Sequence, residues 1–169
     1  MKPLDPRTLL LSVLATAIIL AATGFLTRAN SRRIAAALLG AVAIIPVIIF
    51  IDKMAARVGW WHYPSINNSV GPLAWYIAAA LFYGAAFGLI GWRVIRRFKT
   101  WGLVIFLISF GLLGLARDYI YSVTTNLIVF GERPTSLIAD FFAYVSGAAL
   151  LQAIMYWVAG PPSSDTLRE

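Results

Sequence analysis

Five long apolar runs constrain this chain more than any other feature of its sequence. They cover 9–26, 34–51, 72–90, 101–121 and 138–158, and none contains more than two charged residues. Each run is long enough to cross the hydrocarbon core of a bilayer as an α-helix. None alternates between polar and apolar residues as a half-buried strand does. The sequence therefore predicts an all-α, polytopic membrane helix bundle with about five transmembrane helices.

The composition supports this fold class and excludes several functions. Hydrophobic residues make up 60% of the chain and charged residues 12%, so it is more apolar than a typical soluble domain. The net charge of +7 is expected to set topology and to meet anionic lipid heads, with no nucleic acid as partner. The chain has no cysteine, and its single histidine has no second ligand nearby. We therefore predict no metal and no cofactor.

We interpret residues 1–160 as a single transmembrane domain and residues 161–169 as a disordered polar tail. The run 9–26 is too long for a typical signal-peptide core, so it is interpreted as the first span. Gly84 and Gly88 form a small-residue pair at helical spacing. Such faces allow close helix packing, either within the chain or in a homo- or hetero-oligomer.

The distribution of basic residues predicts the topology. Six lysines and arginines lie on the amino-terminal side of the bundle and eight on the other, and seven of those eight crowd into the short loops 28–33 and 93–99. Positive charge in short loops marks the cytoplasmic side. The amino terminus is therefore expected outside and the carboxyl terminus in the cytoplasm of a bacterial or archaeal cell membrane. The small margin leaves the inverted topology as an alternative.

The segment 52–64, D-K-M-A-A-R-V-G-W-W-H-Y-P, gathers charge and aromatic rings where the second run ends. Asp52 is expected where a span meets water or a protected polar pocket. Trp60, Trp61 and Tyr63 have two interpretations, as an interfacial anchor or as the mouth of a lipid-binding cleft. The two interpretations differ in whether the rings face the membrane or an internal site.

Two aspartates in the later runs are predicted to point into the bundle. Asp118 follows Gly111 and Gly114 at intervals of three and four, which places it on a small-residue helix face. Asp140 and Tyr144 share a face in the same way. Charges at membrane depth indicate a functional site unless they are paired. Pairing remains an alternative for Arg117 with Asp118 and for Glu132 with Arg133, and Asp140 could instead be a helix-start residue stabilised by the helix dipole.

These patterns give one set of candidate acids and one set of candidate binding residues. The candidate catalytic acids are Asp52, Asp118, Glu132 and Asp140. The candidate substrate-binding residues are the polar and aromatic side chains expected at the same depth: Trp60, Trp61, His62, Tyr63, Tyr76, Arg117, Tyr121 and Tyr144. A protonated acid in an apolar pocket can protonate a carbon–carbon double bond, and aromatic faces stabilise the resulting cation. This chemistry suits an isoprenoid-like membrane lipid.

The pattern D-x-x-A-x-x-x-G-W-W-x-Y-P at 52–64 resembles a segment of the small membrane-embedded lycopene cyclases of carotenoid biosynthesis and of related integral-membrane terpene cyclases. The resemblance implies an isomerase that cyclises an isoprenoid lipid by acid catalysis. Those cyclases continue with a Pro-Leu-Glu-Glu type motif, where this chain has Ala74 and Trp75. One of the four candidate acids would therefore have to replace the family's acid. The alternative is a non-enzymatic subunit or lipid-binding accessory protein, with its acids at a lipid-exposed rim.

Overall fold

The computed structural model describes residues 6–64, 76–77 and 80–165, and most of these residues are helical. The α-helices are α1 (Pro6–Thr27), α2 (Ser31–Val58), α3 (Phe87–Thr124) and α4 (Pro134–Ala159). A π-helix, Ala80–Ala86, leads into α3, and a 3-10 turn, Pro162–Ser164, follows α4. Strands β1 (Trp61–His62) and β2 (Val129–Phe130) pair in antiparallel fashion, with Trp61 opposite Phe130. The predicted helical class is confirmed, and this short ribbon is an addition to it.

Three helical segments are long and apolar enough to cross a membrane, by length and composition: Ser31–Val58, Gly84–Thr124 and Pro134–Ala159. In α1, the described apolar stretch Ala17–Thr27 is shorter than these. Part of the predicted run 72–90 lies outside the described residues, including Ala74 and Trp75. The count of about five spans therefore stays a prediction.

Helix α3 is broken at Lys99, whose backbone has φ 54° and ψ −130°. The Phe87 and Phe110 rings lie 5.5 Å apart across the break, which shows that the chain turns back there. A Cβ built on Gly102 would lie 2.5 Å from the Val94 carbonyl oxygen, so the two arms meet closely where only glycine fits. α3 is therefore a hairpin of two helical arms, 87–98 and 100–124, with Lys99 at its turn.

Local signals at both ends of α2 determine where Asp52 lies. The Asn30 side chain accepts a hydrogen bond of 2.8 Å from the Arg33 backbone N–H and caps the first turn. Gly59 ends the helix in the left-handed conformation at φ 79°, which glycine adopts without strain. α2 thus continues past the predicted end at residue 51. Asp52 lies inside the helix and is 5% exposed, so it faces a protected pocket rather than water.

Small residues bring α2 close to α4 and to the π-helix. Ala36, Ala37 and Ala41 of α2 are fully buried against a core that includes Leu151 and Met155 of α4. Cβ atoms built on the predicted pair would also meet residues of this chain, Ala41 for Gly84 and Leu151 for Gly88. These glycines therefore serve packing within the chain, and an oligomer formed through them stays a prediction.

A buried arginine ties the start of the tail to the bundle. Arg33 is 1% exposed, and its Nε donates to Asp165 Oδ2 at 2.7 Å. Its other nitrogens donate to carbonyl oxygens at the end of α4, at 3.0 Å to Met155 and 2.9 Å to Gly160. Asp165 therefore lies near the end of α4, where a cation at a helix C-terminus binds both the last carbonyls and the tail carboxylate. The disorder of residues 161–169 stays a prediction. Residues 166–169 lie outside the described part.

Gly131→Ala is expected to destabilise the protein. The Gly131 N–H donates to the Trp60 carbonyl at 2.7 Å, and a Cβ on Gly131 would collide with the Gly59 carbonyl oxygen. Overpacking of this kind costs about 1–3 kcal/mol in the free energy of unfolding. Denaturation in mixed micelles, followed by tryptophan fluorescence, measures that loss. Gly147→Ala is the matched control, because a Cβ there meets no described atom within 4 Å. Equal stability of the two variants would contradict the described ribbon contact.

Candidate functional site

A cavity of about 110 Å³ lies between α2, the π-helix, the second arm of α3 and α4, next to the ribbon. Asp52, Asp118 and Asp140 all line it, although they come from three different helices. Aromatic side chains supply much of the remaining wall: Trp61, Tyr63, Tyr76, Phe110 and Tyr144. The structure therefore brings together three of the four candidate acids and five aromatic rings. A catalytic role for these acids stays a prediction.

The Asp52 carboxylate is held by two neutral donors. Trp61 Nε1 donates to Oδ1 at 2.9 Å, and the Tyr76 hydroxyl donates to Oδ2 at 2.8 Å. Trp61 is 3% exposed and Tyr76 is likewise 3% exposed, so both rings face the interior. For Trp61 the cleft interpretation therefore fits better than a membrane anchor. The hydrogen bond from Trp61 to Asp52 also holds the loop after α2 over the cavity.

Asp118 belongs to a network with Arg117 and Tyr144. Arg117 Nε donates to Asp118 Oδ1 at 2.7 Å, and the Tyr144 hydroxyl donates to Asp118 Oδ2 at 2.8 Å. Arg117 also donates to the Tyr144 hydroxyl, and its guanidinium lies 5.4 Å from the centre of that ring. Asp118 is 4% exposed, which confirms that it points inward. The pairing expected of Arg117 and Asp118 is present, and it lies at the cavity wall.

Gly114 makes room for this network. A Cβ built there would collide with the Tyr144 ring, and one built on Gly111 would lie 2.6 Å from the Phe141 ring. The small-residue face predicted for the fourth run therefore receives the aromatic side chains of α4. This close approach lets the Tyr144 hydroxyl reach Asp118.

Asp140 differs from the other two acids because it has no hydrogen-bond partner for Oδ2 among the described residues. It is 3% exposed and lines the cavity. A buried carboxylate without a donor is strongly unfavourable, whereas the protonated acid needs no stabilising cation. Asp140 is not a helix-start residue, because α4 begins at Pro134, almost two turns earlier. The dipole interpretation of Asp140 is therefore wrong.

Tyr63 supplies a further polar group from the loop after β1. Burial raises the pKa of the Tyr63 phenol well above its ordinary value, and the negative charges of Asp52 and Asp118 raise it further. The phenol therefore stays neutral at physiological pH. It can donate a hydrogen bond into the cavity without becoming a nucleophile.

Four of the predicted site residues lie outside the cavity. Glu132 and His62 are exposed, Trp60 stacks on Trp61 at a ring distance of 6.3 Å, and Tyr121 lies under the Arg117 guanidinium at 5.8 Å. His62 does not join the cavity wall because successive residues of a strand point to opposite faces, and Trp61 is the one that points inward. Trp60 and Tyr121 pack against a buried cluster formed by Ala55, Trp61 and Ile128.

Several wall residues were absent from the sequence-based set. Phe110 precedes Gly114 and Asp118 at helical spacing, and Ile44 and Ile48 precede Asp52 in the same way. The helical periodicity of the sequence was therefore sufficient to identify these three wall residues. Ala80 and Gly84 belong to the π-helix, and a π-turn carries no sequence signal of this kind.

Comparison of the chain with protein-family models, with curated proteins and with solved structures finds no match. The resemblance to lycopene cyclases therefore stays a prediction.

Proposed function

We propose that the cavity binds the reacting end of a long isoprenoid-like lipid and that Asp140 protonates a double bond of this lipid. The observation that carries the proposal is the difference among three buried acids at one cavity. Asp52 and Asp118 each accept two hydrogen bonds, whereas Asp140 Oδ2 accepts none. Because no described protein group donates to this oxygen, the ionised form of Asp140 receives the least stabilisation from the protein, which makes Asp140 the proposed proton donor. An accessory subunit with its acids at a lipid-exposed rim would not need this arrangement.

The size of the cavity limits what enters it. A volume of about 110 Å³ is somewhat smaller than the engineered protein cavities of about 150 Å³ that bind benzene. Only the end of a lipid fits, such as one branched five-carbon unit. The rest of the chain would then extend between the helices or into the bilayer. This fits a reaction at the terminus of a long polyene.

The proposed reaction balances as an isomerisation. Asp140 gives its proton to one carbon of a terminal double bond, and the other carbon becomes a cation. The faces of Trp61, Phe110 and Tyr144 stabilise this positive charge. Asp118, paired with the Arg117 guanidinium, then takes a proton from a carbon next to the cation, and the product double bond forms. A carbocation is a very strong acid, so even a carboxylate that is paired with an arginine is basic enough to remove its proton.

Expression in hosts that accumulate different linear polyenes tests the proposal. We expect the lipid extract of one such host to contain an isomer of unchanged mass and altered retention time. Cells that carry the Asp140→Asn variant are the matched control, since the amide keeps the shape but is a poor proton donor. An unchanged extract across the panel, with folded protein in the membrane, would favour the accessory-subunit alternative.

We also propose that the chain crosses the membrane several times, with the amino terminus outside and the turn of α3 in the cytoplasm. Because the chain has no cysteine, single cysteines report topology without background. We expect a cysteine at Lys99 to react with a membrane-impermeant maleimide only after the cells are opened, and one at Glu132 to react in intact cells. Both positions are exposed. The reverse labelling pattern would establish the inverted topology.

A further inference from the structure

Ser136 and Asp140 share an unusual property on one face of α4. Ser136 Oγ and Asp140 Oδ2 are both buried without a hydrogen-bond partner among the described residues, and the third such atom, Trp92 Nε1, lies elsewhere, beside Arg33. Ser136 is 0% exposed. Buried polar atoms are nearly always satisfied by protein or by ordered water. Ser136 Oγ and Asp140 Oδ2 lack described partners and are only four residues apart, which indicates a ligand shared by both.

Their spacing fits a bridging water. Residues four apart on a helix have Cβ atoms about 5–6 Å apart on the same face. A single water between a hydroxyl and a carboxyl group spans such a separation, and internal waters typically make about three hydrogen bonds of this kind. A serine hydroxyl both donates and accepts, so it can pass a proton along such a chain. An apolar ligand would leave both atoms unsatisfied.

Ser136 lies one helical turn nearer than Asp140 to the start of α4 and to the loop before it. It belongs to the first turn of α4, and a Cβ built on Gly131 of the preceding loop would lie 3.1 Å from its Oγ. The neighbouring Glu132 and Arg133 are exposed. Asp140 lines the cavity, whereas Ser136 lies outside it, one turn nearer the exposed residues Glu132 and Arg133.

We infer that Ser136 holds a water molecule on the Asp140 carboxyl group and that protons from the aqueous face reach Asp140 through this pair. The inference rests on the proposed function, in which Asp140 loses its proton to the lipid. The Ser136 hydroxyl passes its proton through the water to the Asp140 carboxylate and takes one from solvent water that enters beside the exposed residues Glu132 and Arg133. Asp118 releases its proton to solvent, so no net proton is consumed. Ser136 is thus a positioning residue that acts through Asp140.

Infrared difference spectroscopy tests this without any substrate. The carbonyl band of protonated Asp140 is the band present in the wild type and absent in Asp140→Asn, recorded in a detergent without carbonyl groups. We expect Ser136→Ala to shift this band to higher frequency. We also expect it to slow the exchange of the band in D₂O by about a hundredfold, the lower end of what a positioned proton-transfer group contributes. The variant should fold, because its lost hydroxyl has no described protein partner.

Ser146→Ala, at an exposed position of the same helix, should leave both the band and its exchange unchanged. If the Asp140 band is present and Ser136→Ala leaves its frequency and exchange as in the wild type, the relay is overturned while the proposed function stands. If no Asp140-dependent band of a protonated acid exists, the relay and the proposed acid both fail. A shifted and slowly exchanging band supports the relay.

Discussion

Replacing Asp118 by leucine is expected to lower the free energy of unfolding by about 3–5 kcal/mol, the cost of removing one partner from a buried ion pair. Asp118 accepts hydrogen bonds from Arg117 and Tyr144, and its side chain is 5% exposed. The Arg117 side chain is 22% exposed, so the loss should lie near the lower end of that range. Denaturation in mixed micelles measures the change.

The double variant Arg117→Leu/Asp118→Leu separates the lost pair from the lost packing. Because an isolated buried charge costs more than an apolar pair, the double variant should recover part of the stability lost in Asp118→Leu. Asp118→Asn should lie between the wild type and Asp118→Leu, since an amide oxygen still accepts a hydrogen bond. A stable Asp118→Leu protein, with the same denaturation midpoint as the wild type, would contradict the described network.

The replacement of Asp140 by asparagine is expected to have the largest effect on turnover. If this carboxylic acid starts the reaction, the amide should lower the rate by at least about a hundredfold, because positioned acids contribute 10²–10⁴-fold. Lipid binding should persist, since the side-chain shape is kept. A quantitative assay of isomer formation in membranes, beside a binding assay with the unreacted polyene, separates the two properties.

Glu132→Gln is the control for this substitution. Glu132 was also a candidate acid, but it is exposed on the loop before α4 and does not line the cavity. The same change of carboxylate to amide should therefore leave turnover within about twofold, since exposed substitutions rarely matter. Loss of turnover in Glu132→Gln together with an active Asp140→Asn would move the reaction to the loop surface.

The helical class and the inward acids could be predicted because period and apolar length are local properties of the sequence. Asp118 and Asp140 occupy faces that a period of 3.6 residues identifies. The pairing of Asp52 with Trp61 and Tyr76 could not be predicted in this way. It depends on where α2 ends, which Gly59 sets well beyond the apolar run, and on a ribbon of only four residues.

The hydrogen-bond partners of each acid could not be predicted from the sequence either. Spacing indicates that Asp140 and Tyr144 share a face, but Tyr144 donates to Asp118 rather than to its own neighbour. That choice follows from the close approach of the two helices at Gly114. Sequence periodicity gives the face of one helix, whereas the partner of a side chain depends on the contact between two helices.

A lipid protonated by Asp140 should carry a hydrogen that comes from the solvent, and solvent isotope incorporation measures this. Purified protein in liposomes is given a linear polyene in D₂O, and the product is analysed by mass spectrometry. We expect the wild type to form an isomer that carries a single deuterium at the protonated carbon, and Asp140→Asn to form none. An isomer without deuterium, or equal deuterium incorporation by Asp140→Asn, would contradict it.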